Sequence, residues 1–238
     1  MRAGQFHKSK ISAPRAQRGV VLLITLIILV AMTLAGIGMM RSVDTGSIVA
    51  GNMAFRQATA SAGDAGPNAG FTALMDVANS GNNADKAILN FNHGQPCPPG
   101  ATAILCPGGN INMPGYSSTP ILACEVTQTC LASANSSLWW TVNANWNSAP
   151  NFNVTDPADP TKIIATISYL IHRMCQTPGV GTSAAGQLCL TYTQPTTGCS
   201  LTQVLPCVST SVFYRVTTRS QGTRDSVSYA QTLVLIAE

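Results

Sequence analysis

The segment from Gly19 to Met40, GVVLLITLIILVAMTLAGIGMM, carries no charged residue. Written as a helix it reaches about 33 Å, enough to cross a bilayer hydrocarbon core of about 30 Å. Its flanks are asymmetric. Arg2, Lys8, Lys10, Arg15 and Arg18 come before it with no acidic residue among them. The positive-inside bias therefore places the N-terminus in the cytoplasm and the body of the chain outside. The run is too long for a removable secretion signal, and no small-residue exit of the A-x-A kind follows it. A plain single-pass anchor would meet these conditions.

Charge and cysteine use describe the body. Charged residues are 9% of the 238, against roughly 25% in ordinary soluble domains. The net charge of +4 belongs to the leader: without its five basic residues, eight remain against nine acidic ones, a net of −1. The body thus has no basic patch for nucleic acid. Eight cysteines, Cys97, Cys106, Cys124, Cys130, Cys175, Cys189, Cys199 and Cys207, all lie beyond the apolar run. An even number on the outer side of a membrane points to an oxidising compartment and up to four disulfides. Their order suggests neighbouring pairs, 97 with 106, 124 with 130, 175 with 189 and 199 with 207, although spacing leaves the connectivity open.

Helical signals continue past the apolar run, over residues 41–78. Ile48, Phe55, Ala62 and Ala69 recur every seven residues, with Gly51, Ala58, Ala65 and Thr72 beside them. That gives one face of mostly small side chains, on which a helix can approach a sheet closely. Gly66-Pro67 should kink or stop the helix. Residues 79–160, rich in Asn, Gly, Pro, Ser and Thr, read as turns and loops held by disulfides and short strands. From residue 161 to 238 the pattern is β: KIIATISYLIHRMC, QLCLTYTQ, SVFYRVTTRS and DSVSYAQTLVLIA read as four antiparallel strands, the last two a hairpin with Gly222 in its turn. The expected class is α+β: a long N-terminal helix, half transmembrane and half amphipathic, packed on a C-terminal antiparallel sheet with disulfide-rich loops.

Candidate sites are few. Trp139, Trp140 and Trp146 sit in SSLWWTVNANWNSAP. Aromatic faces beside Asn and Ser suit a sugar or a protein partner, and equally the core of a domain with few other aromatics. His93 with Cys97, and His172 with Cys175, have metal-like spacing, but no C-x₂-C pair accompanies them and cysteines outside the cytoplasm oxidise. Asp156 and Asp159 in TDPADP fall short of the roughly six to eight oxygens calcium takes and read as a solvated turn. No phosphate loop, carboxylate pair or Ser/His/Asp grouping stands out, so neither an enzyme nor a cofactor is expected.

The layout of a basic leader ending in Gly, an apolar helix starting at the next residue, and that helix running into a globular head resembles type IV prepilins. QRGVVLLITLIILVAMTLAGIGMMRSV and IVAGNMAFRQATASAGDAG are similar to the N-terminal region of the PilX minor-pilin family, and VFYRVTTRSQGTRDSVSYAQTLVLI to its terminal strands. The resemblance covers roughly a third of the chain.

It implies a pilin-like fold and removal of leader 1–19 by the inner-membrane prepilin peptidase between Gly19 and Val20, followed by N-methylation of Val20. Segment 20–40 would serve first as inner-membrane anchor and then in the pilus core, on the cell surface. Implied partners are the major pilin, other minor pilins and a PilY-type tip adhesin; implied processes are adhesion, aggregation and twitching motility. Most pilins carry glutamate at the fifth mature position, here Ile24. A buried carboxylate without a partner costs several kcal/mol, so its loss suits a tip subunit with no neighbour above it. The same N-terminus would suit a pseudopilin at the tip of a type II secretion fibre. From another class, an uncleaved anchored module would use the tryptophans on glycans.

Overall fold

The computed structural model describes residues 18–122, 126, 138–195, 208–223 and 225–237. Residues 1–17 of the expected leader 1–19, and Cys124, Cys130, Cys199 and Cys207, lie outside these residues. The chain forms two compact units, one ending at Asn52 and the other beginning at Met53.

The first unit is helical throughout its described part. Helix α1, Arg18–Gly63, begins one residue before the uncharged run and continues across the boundary at Asn52. By length and composition it can cross a membrane. Its apolar side chains, Val20 to Val49, are exposed. Two hydroxyls interrupt the run, and both are satisfied within the helix: Thr25 donates to the Leu22 carbonyl at 2.9 Å and Thr33 to the Val30 carbonyl at 2.8 Å. No side-chain donor between Val20 and Met40 is left to demand water, which is the condition for immersion in an apolar medium.

In the second unit α1 ends at Gly63, and α2, Ala65–Ala78, follows after Asp64. The break answers to Pro67. Proline has no N–H for the carbonyl four residues back, which is Gly63, and its ring crowds that carbonyl. Asp64 keeps right-handed helical backbone, φ −64° and ψ −20°, so the chain kinks rather than stops. The kink lies one turn ahead of the Gly66-Pro67 pair, where the lost bond falls.

Six strands form one sheet: β1 Tyr116–Ser117, β2 Asn151–Asp156, β3 Asp159–Arg173, β4 Thr191–Pro195, β5 Val208–Gly222 and β6 Val227–Ala237. β5 is the hub. It pairs antiparallel with β3, β4 and β6, while β3 also holds β2 antiparallel and β1 parallel. The sheet is therefore mixed, not wholly antiparallel, and starts at residue 151 of the expected loop region, with β1 earlier still. β1 is too short to show a period. In β2 apolar residues alternate only at Phe152 and Val154 among asparagines, which disfavour strands; the pairing with β3 overrides that local preference.

The helix meets β5 through glycine. A methyl group at Gly66 would collide with the Thr218 side chain, and one at Gly70 would lie 2.6 Å from Val216 Cγ1. Gly63 faces Ser220 in ordinary contact. Positions 63, 66 and 70 thus descend the helix as 220, 218 and 216 ascend the strand in reverse, each strand step of two residues matching about one helical turn. Ser220 donates to the Thr59 carbonyl at 2.7 Å, and the Thr59 and Ser226 hydroxyls are 2.8 Å apart. Below the glycines, Leu74 and Val77 enter the main core with Ile171, Val212, Tyr214, Val216 and Ile236. The small-residue face exists, but its register differs from the expected one. Ala58 and Thr72 are exposed and Ala62, Ala65 and Ala69 only half-buried, because the face that meets the strand carries Thr59, Gly63, Gly66 and Gly70 instead. Gly222 also differs in role. It ends β5, and a side chain there would strike the Thr59 hydroxyl; Asp225 supplies the left-handed residue of the turn, at φ 55°.

Residues 79–122 are ordered by covalent and polar staples. Cys97 is bonded to Cys106, and Cys175 to Cys189 beyond β3. Buried Asp85 accepts from the Thr102 N–H at 2.7 Å and from its hydroxyl at 3.1 Å. The Asn92 carboxamide oxygen accepts from the Ser118 N–H and hydroxyl at 2.8 and 2.9 Å. Tyr116 donates to the Leu89 carbonyl at 2.5 Å.

Gly70→Ala should destabilise the second unit by about 1–3 kcal/mol through overpacking, although alanine favours an exposed helix by about 1 kcal/mol. Urea unfolding of Gly70→Ala, Val216→Ala and the double variant checks this. A double variant more stable than the sum of the single losses identifies the Gly70–Val216 approach as the cause.

Candidate functional site

The sheet has a second face. β3 turns Ile167, Tyr169 and Ile171 toward the helix, and Leu170 and His172 away from it. On β5 Arg215 and Arg219 point the same way as His172. Against them lies the tryptophan segment as two short 3₁₀ turns, Trp139–Thr141 and Asn143–Trp146. Asn145 ties the turns together by donating to the Trp139 carbonyl at 2.7 Å, and the Trp146 indole N–H donates to the Trp140 carbonyl at 2.7 Å.

Trp139 and Trp146 are buried with Leu170 in a satellite core, while Trp140 is half-buried at its edge. Trp139 meets Trp140 edge-on at 5.7 Å and His172 at 5.0 Å. The Arg215 guanidinium lies 5.1 Å from the Trp139 ring centre, and that of Arg219 lies 5.9 Å from the Trp146 ring. Cation–π attraction of about 0.5–2 kcal/mol per pair holds the segment to the sheet. Trp139 and Trp146 therefore occupy the positions of core side chains, and of the three indoles Trp140 retains the accessible edge. The arginines opposite them gave no motif in sequence. Their place follows from the register that sets His172 beside Arg215 and Tyr229 beside Arg219.

Burial holds His172 neutral, and the neighbouring Arg215 charge adds to the effect; together they lower its pKa to about 3. Its partner in sequence, Cys175, is bonded to Cys189 and offers no thiolate. The same holds for His93 and Cys97. Cys97 is bonded to Cys106, and His93 Nδ1 sits 2.9 Å from the Ile111 carbonyl and 3.2 Å from the Met113 N–H, bracing the loop. Asp156 and Asp159 close the β2–β3 turn. Asp156 accepts from the Ala158 N–H at 3.0 Å and pairs with Lys162 at 3.1 Å, and Asp159 accepts from Thr161. These hydrogen bonds, from Ala158 to Asp156 and from the Thr161 hydroxyl to Asp159, lower both carboxyl pKa values.

Gly19 and Val20, the residues expected to be processed, sit at the head of α1. Gly19 has open space where a side chain would stand, Val20 is exposed, and so is Ile24 on the following turn. Elsewhere, a cleft of about 530 Å³ opens between α2, residues 83–90 and residues 181–183, lined by Asn83, Lys86, Asn90, Ser183 and Thr210 among others. No protein-family model, curated protein or solved structure matches the chain.

The neutral His172 makes stability depend on acid. The unfolded chain takes up a proton below about pH 6.5 that the folded one refuses until about pH 3. This contribution is therefore complete above pH 6.5 and is lost as pH falls, by about 1.4 kcal/mol per unit. Denaturant unfolding at pH 7.5 and 5.0 should differ by about 2 kcal/mol from this group, and His172→Gln should remove that difference.

Proposed function

We propose that this chain is a minor pilin of the type IV pilus, of the PilX kind, acting in the complex that primes the fibre and stays at its tip. One observation carries the reading. A helix that begins at Arg18, at the end of a basic stretch, carries no charge from Gly19 to Met40 and continues without a break to Gly63. A plain anchor needs helix only for the width of the bilayer. Here the same helix supplies Thr59 and Gly63 to the packing on β5.

In this reading the prepilin peptidase cuts between Gly19 and Val20, where glycine allows close approach to the backbone. The new Val20 amine is methylated, and the exposed row from Val20 to Met40 exchanges lipid for the helices of neighbouring subunits. Both surroundings are apolar, so transfer costs little hydrophobic energy and packing decides the outcome. Ile24 fits the tip because it leaves no carboxylate to be paired from above. The head, with its two described disulfides, then carries the PilY-type adhesin. A pseudopilin of a secretion fibre would share the N-terminus, and loss of twitching against loss of secretion on deletion separates the two.

Intact mass of the chain recovered from membranes and from sheared fibres tests the processing. The expected species begins at Val20 and carries one methyl group; a native chain that keeps Met1 to Gly19 overturns the reading. Ile24→Glu should impair assembly, scored by surface fibres and twitching. Restored function with the variant distributed along the shaft would exclude a tip position.

A further inference from the structure

The cleft between the end of α2, residues 83–90 and residues 181–183 has a volume of about 530 Å³. Small-molecule sites occupy about 300–1,000 Å³. Its walls are braced from both sides. Helix α3, Asn83–Ala87, is capped by the Asn82 side chain, which accepts from the Ala84 N–H at 3.0 Å. Buried Asp85 fastens the same turn to Thr102. The opposite wall belongs to a loop closed by the Cys175–Cys189 bond. Within that loop the Gln187 carboxamide donates to the Thr177 carbonyl at 2.7 Å and accepts from the Thr177 N–H at 3.0 Å. The Gly179 N–H donates to the Asn90 carbonyl at 2.6 Å and ties one wall to the other. A cleft held in this way gives up little freedom when it is filled.

The lining selects the chemistry. Among the described residues that form it, Lys86 alone is charged. Asp85, its neighbour in sequence, is spent on Thr102, and the ion pair among the described residues is Asp156–Lys162. Asn90 Oδ1 is buried without a hydrogen-bond donor, and an acceptor left so favours a ligand that brings one. Asn83, Ser183 and Thr210 add groups that both donate and accept. No aromatic ring lines the cleft for a flat ligand to stack on. Phosphate or sulfate would bring two negative charges to one ammonium and leave most of the volume empty. A single carboxylate among several hydroxyls matches both the charge and the size.

We infer that this cleft binds a hydroxyl-rich monocarboxylate of the acidic-sugar class, its carboxylate on Lys86 and its hydroxyls on Asn83, Asn90, Ser183 and Thr210. The acids outside the described residues are Glu125 and Glu238, and Glu238 follows Ala237, which lines the cleft. The test therefore includes Glu238 as a rival for Lys86. Every lining residue belongs to the second unit, so the site stands or falls independently of leader removal and of the pilus reading.

The test is a calorimetric titration of the full chain, in micelles of a detergent without a sugar headgroup, with D-glucuronate and D-galacturonate. Two controls divide the ligand: the methyl ester of glucuronate keeps the hydroxyls and loses the charge, and acetate keeps the charge and loses the hydroxyls. At least one uronate should bind, with the ester and acetate each weaker by about tenfold or more. Lys86→Gln should weaken uronate binding about tenfold, and Lys86→Arg should retain most of it. Ser183→Ala, on the opposite wall, should also weaken it, so that misfolding of one variant leaves the other informative. No binding of either uronate, equal binding of the ester or of acetate, or binding unchanged in both Lys86→Gln and Ser183→Ala overturns the inference. Binding that appears only in Glu238→Gln assigns Lys86 to the chain's own carboxylate and overturns it equally.

Discussion

The architecture of the second unit depends on how near a helix can come to a strand. At Gly66 and Gly70 the backbone of α2 lies where any Cβ would overlap Thr218 or Val216. That approach brings Thr59 within hydrogen-bond reach of Ser220 and Ser226, and seats Leu74 and Val77 among the sheet side chains. A larger residue on either side would lift the helix by a methyl radius and open a gap along the whole contact, with loss of dispersion at each position. Two hydroxyl-bearing residues, Ser220 and Thr218, serve as the strand's side of this contact. Their small volume is compatible with it, and Ser220 is satisfied by the Thr59 carbonyl.

β5 is buried on both faces as a result. One face takes the helix; the other takes the tryptophan segment, with Arg215 and Arg219 under the indoles. A buried imidazole beside a guanidinium is tolerated because the imidazole stays neutral. The sheet thus has two different cores, one aliphatic and one of aromatic and cationic groups, separated by a single layer of strands. On the proposed reading the second core gives the head a rigid outer face, while the first fastens that head to the helix that assembles.

The apolar helix and the three long strands were legible because their signals are periodic and local: an uncharged run for α1, alternation and β-branching for β3, β5 and β6. The Cys97–Cys106 and Cys175–Cys189 bonds agree with the suggestion that sequence neighbours pair. Less legible were β1 and β2, whose residues have weak strand preference and are held by partners far along the chain. The register of the small-residue face was displaced for a related reason. A seven-residue repeat runs through Gly51 and Ala58, whereas Gly63, Gly66 and Gly70, spaced by three and four, are the contact, and that spacing is set by the strand they face. Among the tryptophans, composition left core and surface as alternatives, and only the fold shows Trp139 and Trp146 inside with Trp140 at the rim.

The sequence by itself determined that the chain carries near its N-terminus a helix suited to an apolar medium, that this helix runs on into an α+β body, and that cysteines stand on one side of it. These are matters of composition and short-range period, which a chain expresses before it folds. Tertiary structure decided which glycines touch the strand, which arginines lie beneath which indoles, and why His172 stays uncharged. Each of those is a relation between residues distant in sequence, and it comes into being when the strands choose their register.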